Sequence, residues 1–298
     1  MDSLEYKSLL AHYRELVEAD LARIADNEAN RIYPALKNAM FYSLEAGGKR
    51  IRPCLMLAVC EMLGGDAKRA LPFACALEMI HTYSLIHDDL PCVDDDDYRR
   101  GRPSNHKVFG EAMAVLAGDG LLSFAFETIL KAISESPDAG AVAAANEIAK
   151  RAGASGMVTG QAADIEFEGS DEQTEEMLRF IHTHKTADML TAAVIAGAHL
   201  AGTDENTLSA LHEYSEKMGL LFQITDDILD MTGDPKLMGK TLGKDRESGK
   251  LTYAVLLGLD GARERAKLTA CEAKAALKNV PNSGFLCAVV DNMLVRSN

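Results

Sequence analysis

Two clusters of aspartate are the residues of this sequence best suited to chemistry. The first is His87-Asp88-Asp89-Leu90-Pro91-Cys92-Val93-Asp94, and the second is Asp226-Asp227-Ile228-Leu229-Asp230. In a helix the aspartates of the second cluster crowd one face, and like charges at that spacing are destabilising. No lysine lies between Lys217 and Lys236 to offset them. Mg²⁺ is usually held by one or two carboxylates with phosphate oxygens completing its shell. The clusters therefore predict a magnesium site, and the alternative is an acidic patch at a helix end.

The first cluster is denser and is followed at once by basic residues. Six aspartates lie between Asp88 and Asp97 without an intervening base, and Arg99, Arg100 and Arg102 follow. A proline inside the run predicts that the helix is distorted or ends there. The later aspartates of the run are therefore expected in a loop, where some of them are either ligands or only loop-capping and solvated groups.

A second set of residues is basic and suited to binding phosphate. Gly47-Gly48-Lys49-Arg50-Ile51-Arg52-Pro53 reads as a turn followed by a helix start. Glycines let the backbone approach a ligand closely, and a helix N-terminus favours anions. We expect Lys49 and Arg52 to bind one diphosphate together. The alternative is that these basic residues are solvated charges at the start of a helix.

Lys185 and His81 are each out of place in their surroundings. Lys185 follows Ile181 on an otherwise apolar helical stripe. A lysine there is expected to pair with an anion in a cavity, unless its ammonium reaches the surface. His81 lies two turns before Asp88 on the same helical face, which favours a contact with diphosphate over a purely structural role.

Helical periodicity dominates the sequence, and strand-like alternation is nearly absent. Glycine or proline separates the helices, as at Gly64-Gly65, and no linker divides the chain. The predicted helices span residues 3–27, 31–45, 50–63, 67–90, 109–134, 139–161, 172–200, 206–232, 250–278 and 284–296. The sequence predicts an all-α fold with a single domain over residues 1–298, a large bundle of about ten helices around an apolar cavity.

Two helical stretches, Ala112 to Phe126 and Ala187 to Ala201, are apolar nearly all round. Helices of that kind are buried inside a bundle. Asp119 lies in the first of them, and we expect it to be a buried, hydrogen-bonded group.

Composition narrows the possible partners and the compartment. The chain has 298 residues and a net charge of -14, which disfavours nucleic acid and anionic membranes as partners. The six cysteines contain no Cys-x-x-Cys pair, so they are interpreted as buried thiols in a reducing, cytoplasmic protein. The sequence shows no signal-peptide pattern and no membrane-spanning run.

The chain resembles the trans-isoprenyl diphosphate synthase family, and most closely its bacterial-type farnesyl diphosphate synthases (geranyltranstransferases). The resemblance runs nearly end to end and rests on an ordered set of motifs. These are Gly47 to Pro53, the first Asp cluster with two residues inserted before its third aspartate, Arg99-Arg100-Gly101, Gly160-Gln161 with Asp164, Lys185-Thr186, Phe222-Gln223 with the second Asp cluster, and Gly249-Lys250 with Thr252-Tyr253.

The resemblance implies a role for each site residue. Asp88, Asp89, Asp94, Asp226, Asp227 and Asp230 would hold Mg²⁺ ions, more than one per site, that bind an allylic diphosphate. Arg99, Lys185 and Lys240 would contact that diphosphate directly. Lys49, Arg52, His81 and Arg100, beside Gly48, would hold isopentenyl diphosphate, and Thr186 and Gln223 would flank the reacting carbons. The family fold is an all-α bundle, usually a homodimer.

Product length depends in the family on bulky residues just before the first Asp cluster. Here these are Tyr83 and Ser84. Tyr83 is large enough to stop the chain early, which favours farnesyl diphosphate. The segment from Pro91 to Gly110 also resembles plant-type geranylgeranyl synthases, which keeps the longer product open.

Three other functions fit these residues less well. A terpene cyclase would carry a different second metal motif, a non-catalytic modulator of a synthase would typically lose metal ligands, and a purely structural acidic protein would not need Lys185.

Overall fold

The computed structural model describes residues 1–168, 170, 174–232 and 252–296, and this part of the chain is almost entirely helical. The α-helices are α1 (Ser3–Asn27), α2 (Pro34–Leu44), α3 (Ile51–Met62), α4 (Ala67–Asp88), α5 (Asn105–Phe109), α6 (Glu111–Glu135), α7 (Ala139–Ala152), α8 (Met157–Phe167), α9 (Glu175–Ile181), α10 (Asp188–Ala201), α11 (Glu205–Thr232), α12 (Tyr253–Ala276) and α13 (Gly284–Arg296). The predicted all-α bundle is confirmed.

Shorter elements connect these helices. A π-helical turn, His182–Ala187, joins α9 to α10. Two-residue strands β1 (Tyr98–Arg99) and β2 (Arg102–Pro103) pair antiparallel after the first Asp cluster. The 3₁₀ turns are Ala29–Arg31 and Leu277–Asn279.

The core lies between α3, α4, α7, α10 and α11. Helix α10 packs against α3, α7 and α11, while α4 packs against α3 and α6. One continuous cluster of buried apolar side chains reaches from Tyr6 in α1 to Met293 in α13. Burial of α10 on nearly all sides confirms the prediction made for its apolar sequence.

The predicted helix 139–161 is wrong, since α7 ends at Ala152 and α8 begins at Met157. The chain turns tightly between them. A Cβ atom on Gly156 would lie 2.1 Å from the carbonyl oxygen of Arg151, so only glycine fits this turn. Helical periodicity on both sides hid the break.

The prediction for α6 is also wrong in part. Helix α6 exposes three large apolar side chains, Val115, Leu116 and Leu130, and Asp119 is exposed on the same helix. Among the described residues, α6 is the one helix long and apolar enough to cross a membrane. That is weak evidence for a span, because a partly buried core helix passes the same test.

The cysteines follow the prediction only in part. All six are free thiols, as expected from their spacing. Cys54, Cys60 and Cys75 are buried, but Cys92 and Cys271 are exposed. The expectation that all were buried fails where the residue lies in the loop after α4 or on the outer face of α12.

Candidate active site

A cavity of about 780 Å³ lies between α4, α8, the π turn and α11. It brings together most of the site residues predicted from the sequence. The predicted residues that line it are Arg52, His81, Tyr83, Ser84, Asp88, Asp94, Arg99, Lys185, Thr186, Gln223, Asp226 and Asp227. Carboxylates, cations and an apolar wall therefore share one space.

Five predicted residues do not line this cavity. Asp89 and Arg100 line a small cleft beside it, next to Arg99. Gly48, Lys49 and Asp230 lie in neither lining. Lys240 falls outside the described residues.

The first Asp cluster is folded by its own backbone. Asp88 is the last residue of α4, and the N–H of Asp94 donates to the carbonyl of Asp88 at 2.9 Å. The N–H of Asp95 donates to the carbonyl of Leu90 at 3.1 Å. These bonds close the proline-containing insertion into a turn, so Asp94 returns beside Asp88. The predicted loop is confirmed.

Asp88 is a carboxylate of the site whose pKa is strongly perturbed. Burial raises the pKa of Asp88 to about 6, Lys185 opposes that rise, and Asp94 adds to it. A group of carboxylates that must ionise together in a cavity needs cationic compensation. Their oxygen-only donor set fits a hard cation such as Mg²⁺.

Asp89 is tied to the hairpin that follows the cluster. The Nε of Arg99 donates to Asp89 Oδ1 at 2.8 Å, and an Arg99 Nη atom contacts Asp96 at 3.1 Å. Asp97 pairs with Lys107 at 2.6 Å. Asp96 and Asp97 therefore hold the loop and its hairpin, which favours the loop-capping interpretation for them.

The second Asp cluster lies near the C-terminal end of α11. Asp226 and Asp227 line the cavity, and Asp230 is buried one turn further along the helix. The Oδ2 atom of Asp227 accepts a hydrogen bond from the N–H of Tyr253 at 2.7 Å. This bond joins the start of α12 to the cluster.

Lys185 pairs with an anion in the cavity, as its apolar stripe predicted. Its Nζ lies 2.5 Å from Asp164 Oδ2 on α8, and both residues line the cavity. The sequence motif contained Asp164 without giving it a role. An ion pair between residues on two different elements carries no periodic signal, so the sequence could not reveal it.

The π turn that carries Lys185 and Thr186 is held by close backbone packing. A Cβ atom on Gly160 of α8 would lie 2.1 Å from the backbone nitrogen of Lys185. Asp188 fastens the other side of the turn, since its carboxylate contacts His184 Nδ1 at 2.7 Å and Arg151 Nη1 at 2.6 Å. A π turn within a helix often marks a functional site.

We expect Gly160→Ala to lower both stability and activity. The added methyl group meets backbone atoms, which cannot move aside as a side chain can, and overpacking of this kind costs about 1–3 kcal/mol. Displacement of Lys185 should also lower kcat. Thermal unfolding and steady-state kinetics would measure these effects. Gly261→Ala is the control. The added Cβ atom would lie 3.0 Å from one side-chain atom of Leu257, and its contacts include no backbone atom of a neighbouring element. Equal stability of the two variants would contradict the prediction.

Arg52 and His81 form another end of the cavity, where Arg52 supplies the positive charge. Arg52 Nη1 lies 3.3 Å from His81 Nε2. Burial, reinforced by Arg52, holds the pKa of His81 well below its usual range, so His81 is neutral at pH 7. The guanidinium of Arg100 packs on Gly48, where a Cβ atom would lie 2.9 Å from Arg100 Cζ.

The rest of the cavity wall is largely apolar. Tyr83 is 7% exposed and packs edge-on against His87 with ring centroids 5.7 Å apart. Further apolar lining residues, none of them singled out from the sequence, are Met157, Val158, Ile165, Phe167 and Met177. The cavity therefore suits a ligand with an anionic head and a hydrocarbon tail.

A separate group of possible metal ligands lies outside the cavity. Ligand atoms of Asp95, Asp97 and His106 lie within 4.8 Å of one another. The two aspartates are exposed and Asp97 already pairs with Lys107. His106 was not singled out from the sequence, and this group contains no carboxylate of the cavity.

Comparison with known proteins agrees with this geometry. The family described as polyprenyl synthetase matches residues 33–281. The chain belongs to this family. It is 47% identical over 296 residues to a farnesyl diphosphate synthase of Geobacillus stearothermophilus, covering 97% of this chain and 98% of that protein. It is 50% identical over 269 residues to the large subunit 1 of a heterodimeric geranylgeranyl pyrophosphate synthase of Arabidopsis thaliana, covering 88% and 72%.

A solved structure supports the same assignment for this polyprenyl synthetase. The structure of a geranyltransferase from Legionella pneumophila matches with a TM-score of 0.88 at 33% identity, covering 99% of this chain and 98% of that one. The chain is thus a trans-prenyltransferase of isoprenoid synthesis.

Proposed function

We propose that this prenyltransferase joins isopentenyl diphosphate head-to-tail to dimethylallyl and geranyl diphosphates, with farnesyl diphosphate as the main product. The observation that carries the proposal is the single cavity that combines two Asp clusters, a separate site formed by cationic Arg52 and neutral His81, and an apolar wall. The Geobacillus relative, a farnesyl diphosphate synthase, matches over nearly the full length of both chains, and the buried Tyr83 supports a short product.

A geranylgeranyl product is the second candidate. The Arabidopsis relative, named for that product, has a similar sequence identity of 50% over 88% of this chain. Both products come from the same chemistry, so the candidates differ only in how far the cavity lets the tail grow.

Mg²⁺ is the cofactor we propose for this site, held by Asp88, Asp89, Asp94, Asp226, Asp227 and Asp230. When bound, it would neutralise the charge that accumulates on the departing diphosphate. The raised pKa of Asp88 supports this, because burial, and to a lesser degree the neighbouring Asp94, disfavours the ionised carboxylate unless a cation compensates its charge.

The side chains around the carboxylates would bind and orient the two substrates. Arg99 and Lys185, with Lys240, would hold the allylic diphosphate, while Lys49, Arg52, His81 and Arg100 beside Gly48 would hold isopentenyl diphosphate. Two separate diphosphate sites fix the reacting carbons near each other, which removes much of the entropic barrier. Thr186 and Gln223 line the cavity and would flank those carbons.

The reaction itself needs no protein nucleophile. The C1–O bond of the allylic substrate breaks, its electron pair leaves with the diphosphate, and the isopentenyl double bond attacks the allylic cation. A proton is then lost from the condensed product, with the released diphosphate as its acceptor. The apolar wall keeps water away from the cation.

Incubation of the protein with isopentenyl and dimethylallyl diphosphates, with Mg²⁺ or with a chelator, tests the proposed function. We expect elongated products with Mg²⁺ and none under chelation. The absence of elongated product, or full activity under chelation, would refute the proposal. The chain length of the product decides between farnesyl and geranylgeranyl diphosphate.

Three exposed apolar side chains of α6 support a homodimer as the working form. Val115, Leu116 and Leu130 are 40%, 53% and 62% exposed, and packing against a second copy of the chain would remove these apolar side chains from water.

We expect Leu116→Glu to convert the dimer to a monomer, because the interface would have to bury an unpaired charge. Sedimentation velocity would measure the mass. Leu268→Glu is the matched control, since Leu268 is also 53% exposed but lies on α12. A Leu116→Glu variant with the wild-type mass would contradict the assignment of the interface to α6.

We also propose that the chain folds as one domain and works in a cytoplasmic setting. The continuous core from α1 to α13 supports one cooperative unfolding transition. The six free thiols support a reducing compartment.

A further inference from the structure

Glu78 is a buried carboxylate that the proposed mechanism does not use. It lies on α4, one helical turn before His81, and is 1% exposed. Its Oε1 atom accepts a hydrogen bond from Arg50 Nη1 at 2.7 Å and lies 3.8 Å from Arg100 Nη2. Buried carboxylates are rare unless they are paired, so the two arginines explain why Glu78 is tolerated there.

Arg50 connects Glu78 to the turn that precedes α3. The Arg50 side chain is fully buried and its backbone is left-handed, with φ 48°. Its Nη2 atom also donates to the carbonyl of Leu44 at 2.6 Å, and its Nε to Glu18 at 2.8 Å. Through these bonds Arg50 links both ends of the 44–50 turn to α4.

Arg100 connects Glu78 to the hairpin. It donates through Nη1 to the carbonyl of Gly47, and its guanidinium covers Gly48. The 44–50 turn, α4 and the β1–β2 hairpin thus converge on one carboxylate.

Arg52 lies on the cavity side of this junction. Burial lowers the pKa of Arg52 to about 10, attraction to Glu78 opposes the shift, and repulsion from Arg100 adds to it. Three guanidinium groups lie near Glu78. Within the part of the chain that the structure describes, the other carboxylate bonded to one of them is Glu18, whose side chain is 43% exposed. Loss of the buried anion would leave these cations to repel one another in a poorly solvated space.

We propose that Glu78 is a positioning residue for the isopentenyl diphosphate end of the cavity, where it holds Arg50 and Arg100 and so sets the placement of Arg52 and His81. The inference rests on the proposed function, which assigns Arg52, His81 and Arg100 to that substrate. Among the described residues, the side-chain partners of Glu78 are Arg50 and Arg100, and neither belongs to the two Asp clusters. Its effect should therefore fall on one substrate and spare the other.

The test is Glu78→Gln, which keeps the shape and removes the charge. We expect the KM for isopentenyl diphosphate to rise roughly tenfold or more, while the KM for geranyl diphosphate stays within about twofold. Glu78→Asp keeps the charge but shortens the reach, so its KM for isopentenyl diphosphate should lie between those of wild type and Glu78→Gln. Glu18→Gln, which alters the exposed partner of Arg50, is the matched control and should leave both KM values near wild type.

A purely structural role for Glu78 would give a different pattern. It would lower the apparent kcat in proportion to the fraction of protein that is folded and would leave both KM values unchanged. This result would overturn the inference. An equal rise in both KM values, or the same selective rise in Glu18→Gln, would also overturn it. If Glu78→Gln does not fold, Glu78→Asp decides, since an unchanged KM for isopentenyl diphosphate refutes the inference. A wild-type enzyme that forms no product refutes the proposed function first and the inference with it.

Discussion

Replacement of Asp88 by asparagine is expected to lower kcat by about a hundredfold or more. Asp88 ends α4 and faces the cavity beside Asp94. Asparagine keeps the size of the side chain but removes the charge with which Asp88 would hold Mg²⁺ against the allylic diphosphate. We expect the variant to need a higher Mg²⁺ concentration for half-maximal activity, measured by titrating the metal at saturating substrates.

Asp95→Asn provides the control for this prediction. Asp95 is an exposed neighbour in the same loop, and its φ of 47° is a conformation that asparagine adopts readily. The control should retain wild-type kcat and the wild-type Mg²⁺ requirement. A fully active Asp88→Asn variant, or equal losses in both variants, would remove Asp88 from the metal site.

Replacement of Tyr83 by alanine is expected to lengthen the product by at least one isoprene unit. The phenol ring is buried against His87 at the wall of the cavity, next to Ser84 and one helical turn before Asp88. Because the tail should grow along the apolar wall away from Asp88, removal of the ring opens space in its path. Chromatography of the dephosphorylated products would show the change in their distribution.

The matched control is Tyr33→Ala, which removes an aromatic ring that is 73% exposed. Its product distribution should equal that of wild type. An unchanged distribution in Tyr83→Ala would show that another part of the wall limits the tail. A small loss of stability is expected for Tyr83→Ala, since deleting buried atoms leaves a space that the neighbours fill only in part.

The sequence predicted best those features that leave a local or periodic trace. Lys185 broke an apolar helical stripe, and the structure pairs it with an anion as expected. Pro91 interrupted the first Asp cluster, and the chain leaves the helix just before it. Both predictions relied only on the conformational or solvation cost of one residue in a repeating pattern.

Features that depend on contacts between distant elements could not be predicted. Glu78 follows an apolar run in the middle of α4, and only the fold shows that Arg50 and Arg100 meet it. Helix α6 was expected to be buried, yet it exposes Leu116. Apolar composition alone does not say whether a side chain packs within its own chain.

The π turn at His182–Ala187 shows how this fold places polar functional side chains within a packed helical bundle. A π turn contains one more residue than a regular helical turn, so the helix after it resumes with a shift in phase. The apolar stripes of α9 and α10 can therefore face different directions around the helix axis. Lys185 and Thr186 lie in the turn between these two helices. Deletion of one residue within the turn would make the helix regular and rotate these two side chains away from the cavity. The polar side chains would then lie in the apolar packing of the bundle.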